Sequence, residues 1–400
     1  MTDRTNLISL DNLPNSIFIG INDEFRKKLF DRARYNAGGE WKKLAKIFNM
    51  HDSHVIEIKN GFRNRKGIRE EALASSHMIR NISKLSEIPY SDIEKNIKYM
   101  RGKHHQLIPV KLPVVSSAAL ARLVAHAMGD GHISKRANQF QYSNTRKELV
   151  ESVRKDVVKV FGKNLNTGTE VITVTNKVKT MITFSNVIGK LLILCGAPDG
   201  KKTEKQYFIP DWILNGSNEI KSAFLQALFD DEGTVCYKHN NIRICFDKKT
   251  QIAENLNEFL EHTRKMLIGL GVSPDAVRKM RSRKERDRIC LGFGITGQYQ
   301  IKTFKEKVSF IHMLKKERIV ALVSRKFNKQ YKKGEIQQII LKEFDNKDVL
   351  KSKDLSIRFD RSQITMRKHL NNLQRMGTIE RIGSNKKSVW RLNDVRTSLS

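Results

Sequence analysis

The sequence is short of the residues that would staple it covalently or carry it across a membrane. Its four cysteines, Cys195, Cys236, Cys245 and Cys290, lie far apart and form no Cys-x-x-Cys pair. That spacing argues against a disulfide framework and a cysteine zinc site, and fits reduced thiols in a cytoplasmic protein. No apolar run approaches the roughly 18 residues needed to span a bilayer. The start, MTDRTNLISLDNLPNS, lacks the basic-then-apolar order of a secretion signal. Acidic residues are scarce as well: 42 Asp and Glu against 75 Lys and Arg give a net charge of +33 and a pI near 10.0. Such a balance implies a polyanionic partner, usually nucleic acid, although a ribosomal-type binder fits charge alone. Charge says nothing about catalysis.

Three regions follow from patterning. In residues 40–61, Trp41, Leu44, Ala45 and Phe48 share one helical face. A turn near Asn49–Asp52 and a second apolar set, Val55, Ile56 and Ile58, complete a helix-turn-helix pattern. Lys59, Arg63, Arg65, Lys66 and Arg69 follow, where phosphates would be met. A plain helical bundle with a basic face is the alternative. Residues 101–115 hold two of the seven prolines and read as an extended connector. At the other end, GEIQQIILKEF, KSKDLSIRF and SQITMRKHLNNLQRMG read as three helices, the last capped by Ser362, lined by Ile364, Met366, Leu370 and Leu373, and ended by Gly377. TIERIGSNKKSVWRL then alternates as a hairpin. This resembles a winged helix, with Arg367, Lys368, Arg375, Lys386 and Lys387 as DNA contacts; protein contact is the competing use. The expected domains are 1–112, 113–330 and 331–400.

Between the ends one pattern occurs twice. LARLVAHAMGDGHI and FLQALFDDEGTV are apolar helices ending in an acid and a glycine, Asp130–Gly131 and Glu232–Gly233, about 100 residues apart. Ala121, Ala125 and Gly129 recur every four residues in the first helix, as do Ala223 and Ala227 in the second. Small residues at that interval let two helix backbones approach closely and bring their C-terminal ends together. Each acid then sits at the negative end of a helix dipole, a position that a bound cation relieves. Mg²⁺ suits such a pair, because it binds one or two carboxylates together with substrate phosphates. The chemistry this permits is metal-assisted phosphodiester hydrolysis. A single Asp-Gly after a helix is usually solvated and inert; the repetition makes the signal.

LVAHAMGDG and LQALFDDEG resemble the two motifs of the LAGLIDADG homing endonucleases, though neither matches letter for letter. The resemblance extends to GKLLILCGAPDGKKTEKQYFIPDWI, KTQIAENLNEFLEHTRKMLIGLGV and FKEKVSFIHMLKKERI, about half the chain. It implies an α+β fold of two pseudo-symmetric αββαββα halves between the two helix-turn-helix regions. It also implies a monomeric, site-specific double-strand DNA endonuclease that needs no protein partner. Asp130 and Glu232 would be the metal-binding catalytic acids, with Mg²⁺ as cofactor and Mn²⁺ as substitute. The active-centre lysine matches Lys205 best, with Lys202 as runner-up. For the second half Lys302, Lys305 and Lys307 are all candidates. FQYSNT, VITVT and TMITFS read as strands of the first half, and VCYK, IRICF and RICLGFGI as strands of the second. Gln139, Gln141, Ser143, Lys201, Lys238, Arg243 and Arg288 are expected to face DNA. Arg122 and His126 share a helical face, which points away from the helix seam unless His126 is a hydrogen-bonded core histidine. Family members inside inteins begin with Cys or Ser and end in His-Asn; Met1 and the closing LSLS fit a freestanding frame instead. Two other functions share these features: a DNA-binding regulator that keeps the fold without the chemistry, and an RNA-binding intron maturase.

Overall fold

The computed structural model describes residues 5–63, 69–70, 72–102, 107–162, 168–174, 177–283, 287–324, 334–359, 361–383 and 388–393. The chain divides into two compact units, Met1–Val323 and Ser324–Ser400. The expected division at residue 112 falls inside the first unit. Its N-terminal part shares one hydrophobic cluster, running from Ile8 to Leu322, with everything that follows.

Two helices form the centre of the first unit. Helix α1 (Ala118–Met128) starts where the Ser117 hydroxyl accepts the Leu120 amide. From Ala119 to Met128 every residue but Arg122 is buried. A helix apolar on almost all sides has to lie inside the protein. The first half continues with β1 (Gly131–Ile133), β2 (Phe140–Asn144), α2 (Lys147–Phe161), β3 (Gly168–Val174), β4 (Lys177–Thr183) and α3 (Asn186–Leu194). The second half repeats the order: α4 (Asn218–Glu232), β5 (Gly233–Cys236), β6 (Asn241–Lys249), α5 (Ala253–Gly269), β7 (Arg278–Arg283), β8 (Arg288–Thr296) and α6 (Gln298–Lys307), then α7 (Met313–Ser324). The fold is α+β. Each half is αββαββα, with antiparallel strand orders β1-β2-β4-β3 and β5-β6-β8-β7. Helices α1 and α4 pack directly on each other.

Strand alternation sets the faces of the sheets. In β6, Ile242, Ile244, Phe246 and Lys248 point inward, whereas Asn241, Arg243, Cys245, Asp247 and Lys249 are half-exposed. Strand β7, RKMRSR, has no apolar alternation and gave no strand signal; its pairing with β8 holds it in the sheet.

The N-terminal part has a three-stranded sheet, with Phe18–Ile21 between Leu73–Ser75 and Ile97–Arg101. Helices Trp41–Ile47 and Asp52–Asn60 flank a turn in which Asn49 takes φ 51°. The guanidinium of Arg34 and the ammonium of Lys59 lie 4.9 Å and 5.1 Å from the Trp41 ring centre, holding the helix pair together. Residues 101–115, expected as an extended connector, also take part in pairing: Val114–Val115 pair with Asn6–Ile8, and Ile108 bridges Met100. Arg65 and Lys66 lie outside the described residues.

The second unit consists of α8 (Glu335–Glu343), α9 (Ser352–Arg358), α10 (Gln363–Arg375) and the hairpin β9 (Ile379–Ile382) with β10 (Val389–Leu392). Ser362 caps α10 by accepting the Thr365 amide. Met366, Leu370 and Leu373 enter the core, but Ile364 is 68% exposed. Arg367 and Lys368 are exposed on α10; Lys386 and Lys387 lie outside the described residues. Trp390, 2% exposed, joins hairpin to helices. Trp390→Ala is expected to cost about 3–5 kcal/mol, a large share of what so small a unit holds. Limited proteolysis of the full chain should then degrade the second unit and spare the first; equal resistance of both would contradict this.

Candidate active site

The two motif acids stand at the ends of α1 and α4. Asp130 follows the last turn of α1, whose Gly129 amide closes on Ala125 O. Glu232 is the last residue of α4. The two acids repel: burial and then Asp231 raise the Asp130 carboxyl to about 6, and burial, Asp130 and Asp231 raise Glu232 to about 8. Burial of carboxylates beside like charge has this effect. Asp230, two residues before Glu232 on α4, accepts the Ile311 amide at 3.0 Å and the His312 amide at 3.0 Å, so it fastens α4 to the segment before α7. Burial raises its carboxyl to about 6, against those two hydrogen bonds.

Asp231 is a centre of hydrogen bonds. Its Oδ2 accepts the Asp130 amide at 3.1 Å and faces His126 Nδ1 at 3.0 Å; its Oδ1 accepts the Tyr142 hydroxyl at 2.7 Å. Asn144 Nδ2 donates to Asp130 Oδ2 at 2.9 Å. Burial works against charge on His126, yet the charge and hydrogen bond of Asp231 outweigh it and raise the imidazole pKa. His126 is therefore the hydrogen-bonded core histidine, and it sits in the seam between α1 and α4. Arg122 points elsewhere, to Asp156 on α2 at 2.6 Å.

Two lysines complete the centre. Lys202 Nζ donates to the carbonyl of Gly129, just past the last turn of α1, and to that of Gly131, which opens β1. Lys315 Nζ donates to the Phe229 carbonyl at 3.0 Å and the Asp230 carbonyl at 2.5 Å, near the end of α4. Each cation answers the negative end of one motif helix. Burial lowers the pKa of both, against the pull of the acids. Lys205, the first choice from sequence, instead pairs with Asp199 and is half-exposed; the runner-up Lys202 holds the central place. Lys302, Lys305 and Lys307 lie on α6, and the hydrogen bonds at the α4 end come from Lys315. The signal was legible in principle, since Lys202 and Lys315 occur in the two resembling segments, GAPDGKK and FIHMLKK. Lys248 was also missed. Buried on β6 with its ammonium 3.6 Å from the Tyr207 ring centre, it is lowered to about 8 by burial and then by Lys202.

Gln141 and Ser143 sit on the outward face of β2, and Arg243 and Arg288 on the outward side of the second sheet. Gln139 is half-buried, whereas Lys201 and Lys238 are exposed. Arg278, exposed on β7 and opposite Gly292, extends that surface without having been expected. Among the described residues no three His, Cys, Asp or Glu side chains form a metal cage. The protein therefore offers two carboxylates, and their mutual repulsion fits a hard divalent cation that takes its other oxygens from phosphate and water.

If this centre hydrolyses phosphodiesters, Lys202→Met should slow cleavage by about 10²-fold, consistent with loss of one charge stabiliser. Lys205→Met should change it less than about threefold, given an exposed surface ion pair. Single-turnover rates for the two variants decide this, and a reversed order restores Lys205.

No family model matches the chain. It is 26% identical over 240 residues to a tRNA-splicing ligase RtcB of Pyrococcus abyssi, covering 56% of this chain and 25% of that protein. It is 32% identical over 164 residues to a replication factor C small subunit of Methanocaldococcus jannaschii, covering 37% of this chain and 9% of that protein. The chain thus spans a quarter or less of these curated relatives. Among solved structures it is similar to I-DmoI in complex with DNA and Mn, at 13% identity and a TM-score of 0.32, over 48% of this chain and 96% of that one. No helix of the described residues is long and apolar enough to cross a membrane.

Proposed function

We propose that the chain is a site-specific, double-strand DNA endonuclease of the LAGLIDADG type, acting as a monomer with Mg²⁺ or Mn²⁺. The observation that carries this reading is the paired helix ends. Two acids, Asp130 and Glu232, and two half-buried lysines, Lys202 and Lys315, converge where α1 and α4 meet, between two sheets whose outward faces carry Gln141 and Ser143 in the first half and Arg243, Arg278 and Arg288 in the second. One chain supplies both halves. The carboxylates of Asp130 and Glu232 would hold divalent metal, which would supply Lewis-acid stabilisation of the scissile phosphate and a more acidic water. The ammonium groups of Lys202 and Lys315 offset charge on the phosphates, inside a crowded site where their fields are little screened. The outward faces of the sheets lie along the groove, with Gln141, Ser143, Arg243, Arg278 and Arg288 toward the bases and phosphates. Lys201, Lys238 and, from the second unit, Arg367 and Lys368 contact backbone.

The test incubates purified protein with a random and genomic duplex library in Mg²⁺ and sequences the broken ends. Breaks at one long motif, absent with the Asp130→Asn, Glu232→Gln double variant, support the nuclease. A motif enriched but left uncut in Mg²⁺ and in Mn²⁺ would sink it in favour of a regulator, a reading that the helix-turn-helix regions at both ends favour.

A further inference from the structure

The two halves of the site are built alike in backbone but not in chemistry. Gly131 pairs with Tyr142 and Gly233 with Ile244, so the counterparts of Tyr142 and Asn144 in the second half are Ile244 and Phe246. Both of those are buried hydrocarbon, and neither can donate a hydrogen bond. The residue before each motif acid differs as well: Gly129 in the first motif, Asp231 in the second. A Cβ at Gly129 would lie 2.5 Å from Asp231 Oδ2, so the glycine clears the space that this carboxylate enters.

We infer that Asp231 is a positioning residue that crosses from the second motif helix to fix the acid of the first, leaving Glu232 without an equivalent. This rests on the endonuclease reading. The Asp231 and His126 side chains have no exposed surface. The ring has its Nδ1 at Asp231, while its Nε2 is buried without a hydrogen-bond partner, so the imidazole serves that one carboxylate. The His126 ring also meets the Tyr142 ring edge-on at 4.9 Å, which steadies the hydroxyl on Asp231 Oδ1. The Asp130 amide is thereby drawn to α4, and Asn144 Nδ2 turns the Asp130 carboxylate. One half-site is therefore set before DNA and cation arrive, as preorganised ligands should be. The other is set only on assembly. The strand served by Asp130 is cut first, and a nicked duplex accumulates.

Asp231→Asn keeps the size of the side chain and removes its charge. In single-turnover assays on a strand-labelled site, nicking of one strand should fall at least tenfold while the other stays within threefold. DNA affinity, measured in Ca²⁺, should change less than threefold. Asn144→Ala, at a half-exposed position, carries the same test if the buried substitution impairs folding; it should slow the same strand. A second readout needs no cleavage: Mn²⁺ alone, titrated onto the full chain and followed by electron paramagnetic resonance. Wild type should show one tighter and one weaker ion. Asp231→Asn and Asp130→Asn should each lose the tighter ion, and Glu232→Gln should retain it. Equal slowing of both strands, or a Mn²⁺ isotherm unmoved by Asp231→Asn, overturns the inference. If wild type cuts no DNA yet the isotherms separate as stated, the endonuclease reading fails and the positioning role stands.

Discussion

Asp130→Asn and Glu232→Gln should each reduce double-strand cleavage by about 10³-fold or more, while the folded protein becomes more stable. On the endonuclease reading the rate loss would follow from removing an oxygen that would hold the cation, a contribution of several kcal/mol to the transition state. The stability gain has a different origin. Glu232 is held at about 8 in the fold, above its ordinary 4.5, and Asp130 at about 6, above 3.8. A carboxyl whose folded pKa is raised binds more protons folded than unfolded, so stability falls as pH rises. For Glu232 the loss begins above about 4.5 and is complete above about 8; for Asp130 the window closes near 6. In EDTA, Tm of the first unit should therefore decline from pH 5 to pH 8.5. Glu232→Gln should flatten that decline and raise Tm at pH 8.5 by about 2–5 °C, the scale on which relieving a strained functional group acts. Mg²⁺ should restore wild type toward the variant at the same pH. Scanning calorimetry with and without the cation makes the comparison, and a metal-free Tm that climbs with pH through this range refutes it.

The site was partly legible in the sequence for definite reasons. Asp130 and Glu232 stood out because each ends an apolar helix whose small residues recur at four, a pattern tied to backbone approach. The α+β class and the repeated half followed from that recurrence. Strands with alternating apolar residues, such as β6, were visible for the same reason. Strand β7 was not, because arginines and lysines fill it and only its partner β8 holds it in place. The lysines were less legible. Lys205 was placed ahead of Lys202 because sequence does not say which way a turn presents its side chains; the structure puts Lys202 on the Gly129 and Gly131 carbonyls and Lys205 on Asp199. Lys315 was missed because α7 lies beyond the α6 segment where candidates were sought. His126 was left between two readings. A face shared with Arg122 suggested that both point away from the seam, with a hydrogen-bonded core histidine as the alternative, because the 100° between successive residues only groups side chains. It does not say what the opposite helix offers, and α4 offers Asp231. Ile364 shows the converse, an apolar residue in a helical pattern that the small second unit leaves outside.

Gly129→Ala is expected to be strongly damaging, because its methyl meets the side chain that crosses from α4. The added carbon would lie 2.5 Å from Asp231 Oδ2 and 2.7 Å from Asp231 Cβ. The second of these is the root of the side chain, so rotation of the carboxylate does not relieve it. Either α1 and α4 move apart, or α4 turns and withdraws Asp231 from the Asp130 amide, His126 and Tyr142. Overpacking alone costs about 1–3 kcal/mol. Each buried donor stripped of its acceptor adds about 1–3 kcal/mol, so a total of about 3–5 kcal/mol is expected in denaturant melts of the first unit. Gly269→Ala gives the control: its Cβ would meet nothing within 4 Å at the end of α5, and it should stabilise slightly. The double variant Gly129→Ala, Asp231→Ala separates the two costs. Asp231→Ala clears the carboxylate that the new methyl strikes, so the pair should fall short of the sum of the single variants by about 1–3 kcal/mol, as contacting residues do. Strict additivity would mean that Gly129 is required for some reason other than the crossing of Asp231, and the close approach of the two helices would then have to be traced to Ala121, Ala125, Ala223 and Ala227 alone.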